Sequence, residues 1–194
     1  CVGIELNFVI ALILAGVVAA LFAALTAIGA FLKIQIPVEG IPAITLQFFF
    51  TAMAGVLLGA KYGAISQAVY VLLGLVGLPI FTMGGGFSYV LQPSFGFLVG
   101  LIPSAWVIGT LCKNAKSFWP MALGILAGLA VLYLIGTPYM GLILNLYLGK
   151  GMSVWQIVRA GCLLYLPGDV LKIVVCTALC LALRSRLPKA LAAA

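Results

Sequence analysis

Long uniform apolar runs, rather than alternating apolar and polar positions, organise this chain. The first covers about 7–32. A helix that is hydrophobic all round lies in a large core or spans a membrane, and about 20 such residues cross the hydrocarbon layer. The stretch Lys33-Ile34-Gln35-Ile36-Pro37-Val38-Glu39-Gly40-Ile41-Pro42 interrupts the pattern, and a second run covers 43–58. Gly59-Ala60-Lys61-Tyr62-Gly63 reads as a tight turn before a third run that reaches residue 78. A fourth run, 94–111, stops at Cys112-Lys113-Asn114-Ala115-Lys116, and a fifth, 118–135, stops at Gly136-Thr137-Pro138, because glycine and proline punctuate helices. Residues 139–166 read as a mixed region of short helices around Gly149-Lys150-Gly151, and a last run occupies 168–183. The pattern predicts an all-α integral membrane protein: a single domain over residues 1–194 with six transmembrane helices.

Composition agrees. The chain is 65% hydrophobic and 7% charged, whereas an ordinary soluble domain carries about 25% charged residues. The net charge of +7 does not point to nucleic acid, because the basic residues are scattered between the apolar runs. They report topology instead. With six spans, Lys61, Lys113, Lys116, Arg184, Arg186 and Lys189 fall on one side, and Lys33, Lys150 and Arg159 on the other. Short loops rich in Lys and Arg stay inside, which predicts cytoplasmic termini and puts the irregular segments 33–42, 78–93 and 136–166 outside.

Histidine is absent, which removes the commonest metal ligand and general base. The five cysteines form no CxxC pair. Gly84-Gly85-Gly86 is not followed by the Gly-Lys-Ser/Thr of a phosphate-binding loop. No enzyme, no metal and no cofactor is expected. Binding and moving a solute remains.

The candidate chemistry is concentrated in one pair of charges, Asp169 and Lys172, in an apolar stretch. An i, i+3 spacing puts both on one helix face. Two readings are open: an ion pair that only joins helices, or a ligand site. Ionisable groups at membrane depth by default mark function. Gln35, Gln47 and Tyr89, with Thr45, Ser88 and Gln92, add neutral polar groups near the same outer ends. The segment holding Phe81, Met83, Gly84, Gly85 and Gly86 is apolar yet rich in glycine. Backbone of that kind at membrane depth survives only where protein buries it or it lines a cavity. These residues together predict an outward-facing pocket for a small amphipathic ligand. Ala15, Ala19 and Ala23 belong to a ladder of small residues on the first helix, with Gly16, Ala20 and Ala24 alongside. Small residues at this spacing let another helix approach closely, either within the chain or from a partner subunit.

Four stretches carry a resemblance: Ile41-Pro42-Ala43-Ile44-Thr45-Leu46-Gln47; Leu57-Leu58-Gly59-Ala60-Lys61-Tyr62-Gly63-Ala64; Gly74-Leu75-Val76-Gly77-Leu78-Pro79-Ile80-Phe81 with the triple glycine; and Leu166-Pro167-Gly168-Asp169-Val170-Leu171-Lys172. In order and spacing over about 40–185, the chain resembles the BioY family, the biotin-specific S-components of energy-coupling-factor (ECF) importers. Where that family has Gly-Pro-Thr-Gly-Gly-Tyr, this chain reads Gln92-Pro93-Ser94-Phe95-Gly96-Phe97. The resemblance implies biotin held beneath the outer loops, with Asp169 and Lys172 recognising its polar groups. It also implies a prokaryotic cell membrane as location. The first-helix alanines would contact a transmembrane coupling subunit, and two ATPase subunits would complete the importer. An S-component for another vitamin and a stand-alone carrier are the alternatives.

Overall fold

The computed structural model describes residues 2–34 and 41–185. Gln35 and Glu39 lie outside them, as do Arg186 and Lys189. Helix α1 (Val2–Phe31) leads into strand β1 (Lys33–Ile34), which pairs antiparallel with β2 (Ile44–Thr45). Helix α2 (Gln47–Leu75) is followed by a loop with a 3₁₀ turn at Phe87–Leu91, then α3 (Phe95–Cys112) and α4 (Phe118–Leu142). A π-helical turn at Ile143–Tyr147 extends α4. The short α5 (Val154–Val158) and a second π turn at Arg159–Leu163 lead into α6 (Leu166–Arg184). Five of the described helical stretches are long and apolar enough to cross a membrane. The chain is a membrane-embedded, mostly helical protein.

The stretch Gln47–Leu75 is not one rod. At Gly59 the backbone takes φ 77° and ψ −179°, a conformation that side chains with a Cβ disfavour. Beyond it the chain folds back: Thr51 Oγ1 donates to Gln67 Oε1 at 2.9 Å and Gln47 Nε2 donates to the Tyr70 hydroxyl at 2.8 Å. The tight turn expected at 59–63 is therefore present, and α2 is a hairpin of two antiparallel halves. Near its apex a Cβ on Gly63 would lie only 2.9 Å from Gly55 Cα, so glycine lets the two halves touch.

Polar side chains fix this register. Gln67 is fully buried, accepts from Thr51 and Thr26, and donates to Ser66 Oγ. Every buried side-chain polar atom among the described residues has a partner, as an apolar surround demands. Through Thr26 the same amide fastens α1 onto the hairpin.

The ladder on α1 divides in two. Ala15, Ala19 and Ala23 are buried within this chain, on the side where α1 packs against α2. Gly16, Ala20 and Ala24 are exposed. The three alanines expected to meet a partner are thus covered by intrachain packing. Both ladders have the same small-residue spacing, so composition does not say which faces inward.

A second difference lies in α4. Gly136-Thr137-Pro138 does not end it, and Pro138 sits inside the helix. Packing carries the helix through: a Cβ on Gly136 would press on the Phe97 ring, Thr137 donates to the Gly161 carbonyl, and Met140 is fully buried. Proline in a membrane helix is tolerated where neighbouring groups re-satisfy the backbone.

At one end of the bundle Arg184 closes the fold. Its guanidinium donates to the carbonyls of Cys112 and Ala115 at 2.8 and 3.0 Å, and to those of Val56 and Lys113 at 3.3 Å. It ties the α2 hairpin end, the α3–α4 turn and the end of α6 together. A helix leaves its last carbonyls unpartnered, and a cation there also suits the helix dipole. The strands, the 78–93 loop and the start of α6 gather at the opposite end.

Candidate ligand-binding site

At that opposite end a cavity opens between the strand segment, the 78–93 loop, α3, α4 and α6. Counted with its open mouth, it encloses about 640 Å³ not filled by protein atoms. Pro42, Ala43, Thr45, Gln47 and Phe48 form one wall, and Thr82, Tyr89 and Ser94 another. Phe97, Leu98 and Leu101 of α3 with Leu132 of α4 supply an apolar wall. Tyr133, Tyr165, Asp169 and Lys172 complete it.

Asp169 lies in the first turn of α6, where the helix dipole favours negative charge. It is 4% exposed. Lys172 Nζ is 2.7 Å from its Oδ1, and the Tyr133 hydroxyl donates to its Oδ2. Each carboxylate oxygen thus has a donor, one from α6 and one from α4. Breaking such a buried pair leaves an uncompensated charge and costs about 3–5 kcal/mol.

Two further polar groups are held as firmly. Gln47 Oε1 accepts from Thr45 Oγ1 at 3.1 Å while its amide donates to Tyr70, whose hydroxyl in turn donates to the Ile80 carbonyl. The Tyr89 hydroxyl is 2.8 Å from Thr82 Oγ1 and accepts from Ser94 Oγ at 3.1 Å. The Tyr165 hydroxyl donates to the carbonyl of Pro42, joining the approach to α6 to the strand segment.

Of the residues expected to form the site, Asp169, Lys172, Gln47 and Tyr89 line this one cavity. Gln35 lies outside the described residues. Phe81, only 1% exposed, stands behind the wall rather than in it: its ring packs against those of Tyr70 and Tyr89, with centroids 5.5 and 4.7 Å away. Met83 is 66% exposed and belongs with Gly85, Ser88 and Gln92 to a separate surface cleft. The triple glycine shapes the loop itself. Gly84 and Gly86 have φ of 113° and 102°, and the Gly86 amide donates to the Gly74 carbonyl at 2.7 Å.

Tyr165, one of the aromatic residues the sequence offers as a wall, does line the cavity; Tyr133, Thr82, Ser94 and Phe97 line it without having been expected. Thr82 stands between two expected residues, Phe81 and Met83. Phe97 falls in the segment that departs from Gly-Pro-Thr-Gly-Gly-Tyr, and its ring meets Tyr133 edge-on at 6.4 Å. Nothing in the local sequence marks Tyr133, whose partner is 36 residues away.

A helical membrane protein whose mostly apolar cavity carries a buried ion pair in its wall is, in class, a solute-binding membrane protein. Residues 8–189 match the BioY family, and the chain belongs to that family. It is 45% identical over 139 residues to a probable biotin transporter BioY of Lysinibacillus sphaericus, covering 71% of this chain and 69% of that protein. It is 37% identical over 168 residues to the biotin transporter BioY of Thermotoga maritima, covering 86% of this chain and 93% of that one. Among solved structures, the S-component for biotin from an ECF-type ABC transporter superposes with a TM-score of 0.77 at 27% identity. That match covers 89% of this chain and 92% of the other.

Proposed function

We propose that this chain is the biotin-binding S-component of an ECF-type importer, a transport subunit rather than an enzyme. The observation that carries the reading is the Tyr133–Asp169–Lys172 cluster set into the wall of an otherwise apolar cavity, in a chain of the BioY family. Asp169, Lys172, Gln47 and Tyr89, with Tyr133, contact the ligand. Biotin's ureido ring has two N–H donors and one carbonyl. Asp169 complements the donors, and Lys172, with three donors of its own, complements the carbonyl. The thiophane ring and valeryl chain suit Phe48, Phe97, Leu98 and Leu101. Phe81 and the glycines at 84–86 support the wall from behind.

Counting the α2 hairpin as two crossings gives six spans, with the start of α1 and the end of α6 on the side of Arg184. Lys61, Lys113 and Lys116 lie at that end, which makes it cytoplasmic and turns the cavity outward in the cell membrane of a prokaryote. Loaded chain would deliver biotin inward with a transmembrane coupling subunit and two ATPase subunits.

The direct test is titration of the purified, detergent-solubilised chain with biotin. Saturable binding at one site per chain, without other subunits and without competition from other vitamins, is expected. A folded chain that binds another vitamin and not biotin would replace the ligand. Uptake into vesicles that is independent of ATPase subunits would replace the importer reading with a stand-alone carrier.

The coupling subunit docks on the face of α1 that carries Gly16, Ala20 and Ala24, since their neighbours Ala15, Ala19 and Ala23 are already covered. Ala20→Leu is therefore expected to leave biotin affinity within about twofold, as for a surface substitution, and to reduce co-purification with the other subunits. Ala19→Leu, forced into the α1–α2 contact, is expected to lower the thermal midpoint instead, by overpacking of about 1–3 kcal/mol. Normal assembly of Ala20→Leu would leave that face to lipid.

A further inference from the structure

The ion pair in the cavity is electrically balanced, and biotin is not. Its bicyclic ring is neutral, while its valerate ends in a carboxylate. Asp169 and Lys172 cancel within 2.7 Å of each other, so a neutral ureido group adds no charge beside them. A carboxylate placed there would leave net negative charge in an apolar wall, which is costly without further partners. The anionic end is therefore better placed toward water, where a cation would favour it further.

We propose that Lys33 is that cation: the residue at the cavity rim that receives the carboxylate of the ligand. The proposal rests on the biotin-binding reading above. Two independent contacts put Lys33 at the rim. In the β1–β2 ladder it stands opposite Thr45, and its ammonium donates to the carbonyl of Thr82. Thr45 and Thr82 both line the cavity, on different walls. Lys33 thus bridges the strand segment and the 78–93 loop at their edge. The backbone carbonyl takes one of its three N–H donors and leaves two. Among the described residues it pairs with no carboxylate. It is exposed, so an incoming carboxylate keeps part of its hydration while gaining a charge-assisted hydrogen bond. Lys172, by contrast, is held against Asp169 and only 12% exposed.

The test compares biotin with its neutral primary amide, on wild type, Lys33→Met and Lys33→Arg. Wild type is expected to bind biotin about fivefold more tightly than the amide, the size of a partly exposed charge contact. Lys33→Met is expected to weaken biotin by about that factor and leave the amide within about twofold. Lys33→Arg should keep the preference, and added salt should shrink it in wild type. Wild type that binds acid and amide equally would overturn the proposal whatever the variants do. So would Lys33→Met that retains the preference, or that loses both ligands equally, which would make Lys33 a strut of the rim. Wild type that binds neither ligand would remove the biotin reading itself, and this proposal with it.

Discussion

Replacing Asp169 by asparagine is expected to weaken biotin binding by roughly a hundredfold, the loss of one charged, buried hydrogen-bond acceptor. The substitution keeps shape and volume but removes the negative charge. One oxygen of Asp169 now faces the Lys172 ammonium, and the other faces the Tyr133 hydroxyl. Asparagine retains one carbonyl oxygen and presents an NH₂ where the second acceptor was. That group opposes either an ammonium or a hydroxyl, and Lys172 becomes a buried cation without a counter-charge. Fold stability should fall as well, so binding alone would not separate recognition from folding.

The double variant Asp169→Asn, Lys172→Met separates them. Removing both charges takes away the unpaired ion, and replacing a whole buried pair by apolar groups is often neutral or stabilising. Its thermal midpoint should return toward wild type while biotin binding stays weak. Recovery of binding together with stability would mean that the pair only joins α6 to its neighbours. Biotin affinity of the single variant within a few fold of wild type would remove Asp169 from the site.

How much of this was legible in the sequence depends on the kind of information each feature carries. Asp169 and Lys172 were legible because their helical spacing is local and their charge stands out against apolar neighbours. The hairpin was legible for the same reason, since Gly59 and Gly63 mark the turn within five residues. Tyr133 was not. In sequence it is one aromatic residue in a long apolar helix, and only the packing of α4 on α6 brings it to Asp169. The alanine ladders were legible as small, but their direction was not, because burial of Ala19 rather than Ala20 is decided by how α1 rotates onto α2. Pro138 was misleading: its local preference to stop a helix was overridden by contacts of Gly136, Thr137 and Met140 with distant residues. The glycines at 84–86 showed that something packs closely or turns sharply, without saying that the partner was the protein's own loop rather than a ligand.

That loop is the basis of the second large effect. Gly74→Ala is expected to lower biotin affinity by about tenfold and the thermal midpoint by roughly 5 °C, the scale of about 1–3 kcal/mol of overpacking in a chain of this size. A Cβ on Gly74 would fall 2.1–2.6 Å from three atoms of the Phe81 ring. A ring at the end of a side chain often swings aside, but this one is held between Tyr70 and Tyr89. Phe81 is tied by backbone hydrogen bonds to Gly84 in both directions, and Gly86 to the Gly74 carbonyl. The ring can leave only if the loop leaves with it. Thr82 follows Phe81 directly, and Tyr89 both packs on Phe81 and bonds Thr82 and Ser94. Displacing the ring therefore displaces a wall of the cavity, although Gly74 and Phe81 touch no ligand. Phe81→Leu, which shortens the side chain, should cost stability alone yet partly rescue Gly74→Ala, since neighbours in contact are non-additive by about 0.5–3 kcal/mol. Strict additivity of the two, or a Gly74→Ala protein with wild-type affinity and midpoint, would show that the loop moves independently of the helix beneath it.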